Sequence, residues 1–341
     1  MKFDNVKIVE PALRIHPDSL VMFSQCHYTN YQPHSNHNSL LNLNSNFNHN
    51  NLSPQAKRKL EKAIKYLIFT ATDKEAYNNK TKSKFRFKVN MVTLTLSSSQ
   101  VHSDQTIKSQ CLNQLLLELK QHYSVKNYVW KSEYQVNGNV HFHLLTDQFI
   151  PWFELQNRWN RIQNKLGYVD RFKYDKAVKA PNSTDVHSLR KINNVVNYCT
   201  KYMVKVSRKN KSKCSRVNCP LGKLVTKSSK SMSPGVLAFL RKLADNGRVW
   251  GCSYTLVDLK GGASTLDCEL LEEIERLQKE KGSRRIDKDN FSLVMFDNNM
   301  LNSGSYPVLS NLLNSFIVEK FGYCEKILIF NEYKPPSSEI C

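Results

Sequence analysis

The alternation of apolar and polar residues predicts a β-hairpin in the middle of the chain. From Tyr128 to Gln135 and from Val140 to Leu145 the side chains alternate in type, as in strands that present one face to a core. The stretch Val136-Asn137-Gly138-Asn139 between them predicts a turn, because Gly and Asn tolerate positive φ. The aromatic face would carry Tyr128, Trp130, Ser132 and Tyr134, opposite Val140, Phe142 and Leu144.

The other face of the hairpin carries His141 and His143, two residues apart, together with Glu133. Two imidazoles and a carboxylate that converge on one face suit a divalent metal ion. The alternative interpretation is a solvated polar face without a metal, and it would be preferred for two isolated histidines. Three potential ligands in cross-strand register favour the metal.

The length of the loop decides whether these three side chains meet. A three-residue loop, Asn137 to Asn139, would place Val136 opposite Val140 and Glu133 opposite His143. A two-residue loop would turn Glu133 to the wrong face of the sheet. The apolar residues favour the three-residue loop, because only that loop brings Tyr134 opposite Phe142.

Hydrophobic periodicity also predicts helices and strands on both sides of the hairpin. The predicted helices are 54–77, 105–123, 152–166, 185–205, 233–246 and 265–281, and the predicted strands are a short one near 6–9, 85–96 and 249–257. Residues 29–53 are rich in Asn, Ser and His and are expected to form a low-complexity loop.

The charge of the chain points to a polyanionic partner. The 341 residues include 50 Lys and Arg against 29 Asp and Glu, a formal net charge of +21. Nucleic acid is the default partner for such a balance, although charge alone does not separate an enzyme from a passive binder. Neither an apolar leader nor a membrane-spanning run is apparent, so we expect a cytoplasmic protein with reduced thiols, in the bacterial host if the source is viral.

A second group of chemically active residues lies on the helix predicted over 185–205. Tyr198 and Tyr202 are four residues apart, so they share one helix face beside Lys201 and Lys205. Two structural tyrosines on an amphipathic helix are the alternative interpretation. The following stretch, 207–231, contains no acid, and its cations could hold DNA phosphates. The candidate DNA-binding residues are Lys205, Arg208, Lys209, Lys211 and Lys213.

The order of three motifs resembles the HUH endonucleases that initiate rolling-circle replication. The motifs are the strand 91–96, the pair His141 and His143 around Phe142, and the Y-x-x-K-Y-x-x-K sequence of 198–205. The last is similar to the two-tyrosine helix of initiators from microviruses, the small icosahedral single-stranded DNA phages. Glu133, eight residues before His141, matches the metal-binding Glu of geminivirus-type initiators.

The resemblance implies a metal-dependent enzyme that nicks and rejoins single-stranded DNA at an origin. Glu133, His141 and His143 would hold Mg²⁺ or Mn²⁺, Tyr198 and Tyr202 would be nucleophiles, and Lys201 would assist them. A host helicase and DNA polymerase would be partners, and no membrane would be involved. The alternatives are a two-tyrosine HUH transposase and a non-catalytic nucleic-acid-binding protein.

The implied fold is α+β, with a central antiparallel sheet of the ferredoxin or RNA-recognition-motif type, flanking helices and a C-terminal accessory region. The tyrosine helix would pack across the metal-binding face of that sheet. The expected domains are an N-terminal segment with the polar loop at 1–55, the endonuclease domain at 56–257 and the accessory region at 258–341.

Overall fold

The structure is a computed structural model of the chain. It describes residues 7–28, 52–78, 82–135, 137–176, 180–188, 198–200, 203, 248–301 and 304–322. Contacts divide the chain into two compact units, and each is described by itself. The larger unit is formed by residues 47–257, and the smaller unit combines residues 1–46 with 258–341.

The strands and helices are numbered in chain order. The strands are β1 Lys7–His16, β2 Ser19–Tyr28, β3 Lys74–Asn78, β4 Ser83–Phe87, β5 Asn90–Thr95, β6 Tyr128–Tyr134, β7 Val140–Thr146, β8 Thr184–Ser188, β9 Trp250–Cys252, β10 Gly262–Thr265, β11 Arg284–Lys288 and β12 Phe291–Met295. The helices are α1 Pro54–Thr70, α2 Asp104–Ile107, α3 Asn113–Tyr123, α4 Trp152–Asn164, α5 Tyr168–Lys176, α6 Cys268–Lys279, α7 Asn298–Leu301 and α8 Pro307–Phe321, with a π-helical turn at Lys108–Leu112 and a 3₁₀ turn at Tyr254–Leu256.

A five-stranded antiparallel sheet in the order β8-β5-β7-β6-β9 organises the larger unit. The alternating strands place one apolar face against α3 and α4, where Phe142 packs edge-to-face with both Trp130 and Trp159. The Trp159 indole N–H also donates to the Thr95 carbonyl at 2.7 Å, which fixes α4 on the sheet. The expectation of an α+β fold with a central antiparallel sheet is confirmed.

Glu118 on α3 holds α4 through two arginines. Its carboxylate accepts from the Arg161 Nη2 at 2.7 and 2.6 Å and from the Arg158 Nη1 at 3.2 Å. Burial opposes ionisation of Glu118, but hydrogen bonds from Gln114 and the two arginines outweigh it and lower the pKa of the carboxyl group. The sequence had suggested a free basic edge at these arginines, and the structure assigns them to helix packing instead.

Several boundaries differ from the sequence predictions for tertiary reasons. The first helix ends at Thr70, and its former C-terminal part is strand β3, which pairs with β4. The predicted strand over 85–96 is divided into β4 and β5. The beginning of the helix predicted over 185–205 is strand β8, because its alternating Thr184 and Val186 pair with β5 at the sheet edge.

The smaller unit contains a second antiparallel sheet, in the order β10-β1-β2-β12-β11. The predicted short strand near 6–9 is instead a ten-residue strand, β1, which forms a long hairpin with β2. Strands from the beginning and the end of the chain therefore share one sheet, through the β1–β10 and β2–β12 pairings. Among the described residues, no helix is long and apolar enough to cross a membrane.

Candidate metal centre

The hairpin of β6 and β7 brings Glu133, His141 and His143 to one face of the larger sheet. Glu133 lies opposite His141, and His143 lies opposite Lys131. The predicted pairing of Glu133 with His143 is therefore wrong by two residues. A shift of two positions preserves the face that each side chain occupies, so the predicted convergence of the three ligands survives the error.

The turn explains the changed register. The Gln135 N–H donates to the Asn139 carbonyl at 2.8 Å, and the Gly138 N–H donates to the Gln135 carbonyl at 3.0 Å. Three residues still separate the last paired positions, but the loop is 136–138 rather than 137–139. Gly138 has a φ of 87° and lies at the third loop position, where such hairpins need the left-handed conformation. The sequence analysis had put this glycine in the middle of the loop.

The loop before α2 holds the C-terminal side of this turn. The Asn139 side chain donates to the Ser98 carbonyl and accepts from the Gln100 N–H, both at 2.9 Å. The Val140 N–H donates to the Gln100 Oε1 at 2.7 Å. Tyr134, predicted to lie opposite Phe142, lies opposite Val140, and Ser132 takes the position opposite Phe142.

The ligand atoms of the three side chains face one another. The Nε2 atoms of His141 and His143 are 3.0 Å apart. The Glu133 Oε2 is 3.9 Å from the His141 Nε2 and 3.7 Å from the His143 Nε2. Each side chain is half-buried, so the group is open on one side. Within the described residues, this is the group of His, Cys, Asp or Glu whose geometry could hold a metal ion.

The spacing of these atoms fits a divalent cation. The point equidistant from the three atoms lies about 2.1 Å from each, which is the usual bond length from Mg²⁺ or a first-row metal to nitrogen or oxygen. Two imidazoles and one carboxylate on a single side leave the remaining coordination positions for water or a substrate. The donor set and its spacing are therefore compatible with the expected Mg²⁺ or Mn²⁺.

Lys131 is a member of this site that the sequence analysis missed. It is buried at 4% exposure, and its Nζ donates to the Glu133 Oε1, so the two carboxylate oxygens face different cationic positions. Burial opposes ionisation of Glu133, but the hydrogen bond with His143 and the charge of Lys131 lower its pKa to about 2. Because it lies two residues before Glu133, Lys131 shares the same strand face, which was a signal available in the sequence.

Thr93 on β5 supports the second histidine. It lies opposite His143, and its hydroxyl is 3.3 Å from the His143 Nδ1. Burial, followed by the neighbouring His143, lowers the pKa of His141 to about 4. Both effects favour neutral imidazoles, the form that coordinates a metal. Thr93 falls in the strand motif 91–96, but only the register shows which histidine it contacts.

Asp147 has a structural role near the site. Sequence alone allowed it to assist the metal or to cap the adjoining segment. Its carboxylate accepts from the Asn127 N–H at 2.8 Å and the Lys126 N–H at 3.2 Å, just before β6. These bonds join the end of β7 to the beginning of β6, and Asp147 is not a member of the ligand group.

Tyr198 lies at an exposed position of a helical segment. Residues 198–200 are helical, Tyr198 is exposed, and the predicted inward-facing residues Cys199 and Met203 are both buried. The other candidate site residues lie outside the described residues: Lys201, Tyr202, Lys205, Arg208, Lys209, Lys211 and Lys213.

One comparison with known proteins gives a match. The model of a family of replication-associated proteins, described by the name ORF2, matches residues 89–207, about a third of the chain. That region contains β5, the hairpin with all three candidate ligands, and Tyr198. No curated protein and no solved structure matches the chain. The match supports a role in DNA replication for the part of the chain that carries the metal centre.

Proposed function

We propose that the chain is a rolling-circle replication initiator that nicks and rejoins single-stranded DNA through a 5′-phosphotyrosine intermediate. The observation that carries the proposal is the convergence of Glu133, His141 and His143 on one half-buried face. Its position within a region similar to replication-associated proteins gives that centre a DNA substrate.

In this proposal, Glu133, His141 and His143 hold Mg²⁺ or Mn²⁺, which would neutralise charge that develops on the oxygens of the scissile phosphate. Lys131 keeps Glu133 ionised through its bond to one carboxylate oxygen and leaves the other oxygen directed at the imidazoles. Thr93 orients His143 from the neighbouring strand. The open side of the group leaves space for a phosphodiester.

Tyr198 is the proposed first nucleophile, with Tyr202 as the second. The phenol oxygen of Tyr198 forms a bond to phosphorus, and the bond from phosphorus to the 3′ oxygen breaks. The departing oxygen takes up a proton and becomes the 3′-OH that primes synthesis, while the phenol proton passes to solvent. Because a phenol has a pKa of about 10, Lys201 would help by stabilising the developing phenolate.

The basic character of the chain, with a formal charge of +21, supports binding of the DNA strand. Lys205, Arg208, Lys209, Lys211 and Lys213 are the proposed phosphate contacts beside the tyrosines. A nicked origin with a free 3′-OH needs strand separation and extension, so a host helicase and a DNA polymerase are the proposed partners.

The test is formation of a covalent adduct. The full chain would be incubated with Mn²⁺ and a random-sequence pool of single-stranded oligonucleotides that carry a fluorophore at the 3′ end. The downstream fragment stays on the tyrosine, so the protein band becomes fluorescent on a denaturing gel. We expect the adduct with the wild-type chain and its loss with EDTA, with His141→Ala and with Tyr198→Phe. Mass spectrometry would locate the nucleotide on tyrosine.

Control variants separate the possible outcomes. Tyr174→Phe changes a tyrosine that is 90% exposed on α5, and it should leave the adduct unchanged. Normal yield from Tyr198→Phe and Tyr202→Phe, with none from the double variant, would mean that the tyrosines are interchangeable. Binding without an adduct would support a passive binder, and adducts confined to transposon ends would support a transposase. Nicking by His141→Ala in EDTA would refute the proposed metal role.

A further inference from the structure

The sheet of the smaller unit has one face covered by a helix. A Cβ added to Gly262 on β10 would lie 2.5 Å from the Leu312 carbonyl oxygen of α8 and 3.0 Å from the Ile15 Cγ2. The helix backbone therefore approaches this face closely enough to require glycine. Leu13, Leu20 and Val294 are buried on the same face.

The opposite face of this sheet is open. Register places Phe23 on β2 opposite Phe291 on β12, and Phe291 opposite Lys288 on β11. Phe291 is 41% exposed and Phe23 is half-buried. The next row across the same strands consists of exposed Arg14 and half-buried Val21, Leu293 and Ile286. Aromatic and aliphatic side chains thus form a continuous partly exposed surface.

The charges on the open face are mainly positive. The Arg14 guanidinium lies over the Phe23 ring, 5.1 Å from its centroid, and Lys288 and Arg284 are exposed on the edge strand β11. Within the described strands, Glu10 is the acid on this face, and it lies near the far end of β1. Cations placed beside exposed rings complement a ligand that has both flat bases and phosphates.

We propose that this open face binds single-stranded nucleic acid. Phe291 and Phe23 would stack on successive bases, the Arg14 guanidinium would extend the stacking surface, and Lys288 and Arg284 would contact phosphates. An antiparallel sheet backed by helices on one face and aromatic on the other is a known way to hold unpaired bases. A purely apolar protein partner would not explain the flanking cations. The site lies in a different unit from the metal centre, and its binding does not depend on strand cleavage.

The first test measures binding without cleavage. Fluorescently labelled oligo-dT would be titrated with the full chain in EDTA, so a failure of the nicking proposal could not affect the result. Phe291→Leu keeps the apolar bulk but removes the aromatic face, and it should weaken binding roughly tenfold. Phe291→Tyr should bind like the wild type. Tyr174→Leu, at an exposed position of the larger unit, is the matched control and should change little.

The charged residues have a separate signature. The double variant Arg284→Ala with Lys288→Ala should reduce the slope of log affinity against log salt concentration by roughly 1.4, because single-stranded phosphate contacts contribute about 0.7 each. Lys279→Ala, an exposed lysine at the end of α6, should leave the slope unchanged. An unchanged slope in the double variant would contradict the proposed phosphate contacts.

Photocrosslinking locates the strand directly. Oligonucleotides with a halogenated deoxyuridine would be irradiated with the wild-type chain, and mass spectrometry would identify the attached peptide. We expect attachment at Phe291 or Phe23, reduced in Phe291→Leu. A parallel arm with oligo-U RNA of equal length distinguishes DNA from RNA as the source of the bases. Unchanged affinity in Phe291→Leu, with crosslinks confined to residues 47–257, would overturn the proposal.

Discussion

Gly251→Ala should destabilise the larger unit by overpacking the sheet beside the metal centre. Gly251 lies opposite Trp130 in the β6–β9 pair. A Cβ at this position would lie 2.8 Å from the Trp130 Nε1, 2.9 Å from its Cε2 and 3.0 Å from its Cζ2. These separations are well inside the normal carbon contact distance of about 3.5–4.0 Å.

The indole has little freedom to move away from the added methyl group. Trp130 is 8% exposed and packs edge-to-face on Phe142, which packs in turn on Trp159. Because a packed ring must shift together with its neighbours, we expect a loss of about 2 kcal/mol in the free energy of unfolding. Displacement of β6 at Trp130 would also disturb Lys131, the next residue along the strand.

Urea denaturation followed by tryptophan fluorescence is the appropriate assay. All four tryptophans lie in residues 47–257, so the signal reports the larger unit. Trp130→Phe is the matched background, because phenylalanine lacks the bulk that the methyl group would meet. In that background Gly251→Ala should cost about 1 kcal/mol less than in the wild type. An equal cost in both backgrounds would refute the steric explanation.

Three other predictions follow from the larger unit. Glu118→Gln removes the charge that holds Arg158 and Arg161 and should cost about 2 kcal/mol in urea denaturation, whereas Glu75→Gln, which breaks an exposed pair with Lys84, should cost under about 0.5 kcal/mol. Asn139→Ala leaves the buried Gln100 N–H and Ser98 carbonyl without their side-chain partner and should cost about 2 kcal/mol in the same assay; a neutral result would contradict the described turn. Burial raises the pKa of the Cys111 thiol to about 11 and of the Cys199 thiol to about 12, so both hold almost no thiolate at neutral pH; peptide mass spectrometry after brief iodoacetamide treatment should find exposed Cys268 alkylated first, and faster labelling of Cys199 would contradict its buried position.

The face of each hairpin residue could be predicted from sequence, whereas the register could not. Alternation has a period of two, so it placed Glu133, His141 and His143 on one face whichever even shift occurred. The pairing depended on Gly138, which takes the left-handed position of the turn, and on the bonds of Asn139 and Val140 to the distant loop at 98–100. Such long-range bonds leave no periodic pattern in the sequence.

Long-range strand pairing limited the other predictions in the same way. The segment at β8 has apolar residues at helical spacing further along the chain, but β5 offers it a free sheet edge. Likewise, β1 and β2 pair with β10 and β12, which lie more than two hundred residues later. Local periodicity carries no information about these partners, and an exposed position such as Phe291 acquires meaning only beside Phe23.

Metal binding by the three converging ligands is the central claim of this account. It is tested most directly by pulsed electron paramagnetic resonance of Mn²⁺ added to the full chain without DNA. We predict one bound Mn²⁺ with nitrogen couplings from imidazole, which disappear in the double variant His141→Ala with His143→Ala. They should persist in His187→Ala, which removes an exposed histidine that also pairs with a carboxylate, Asp185. Unchanged Mn²⁺ binding with intact nitrogen couplings in the double variant would contradict the account.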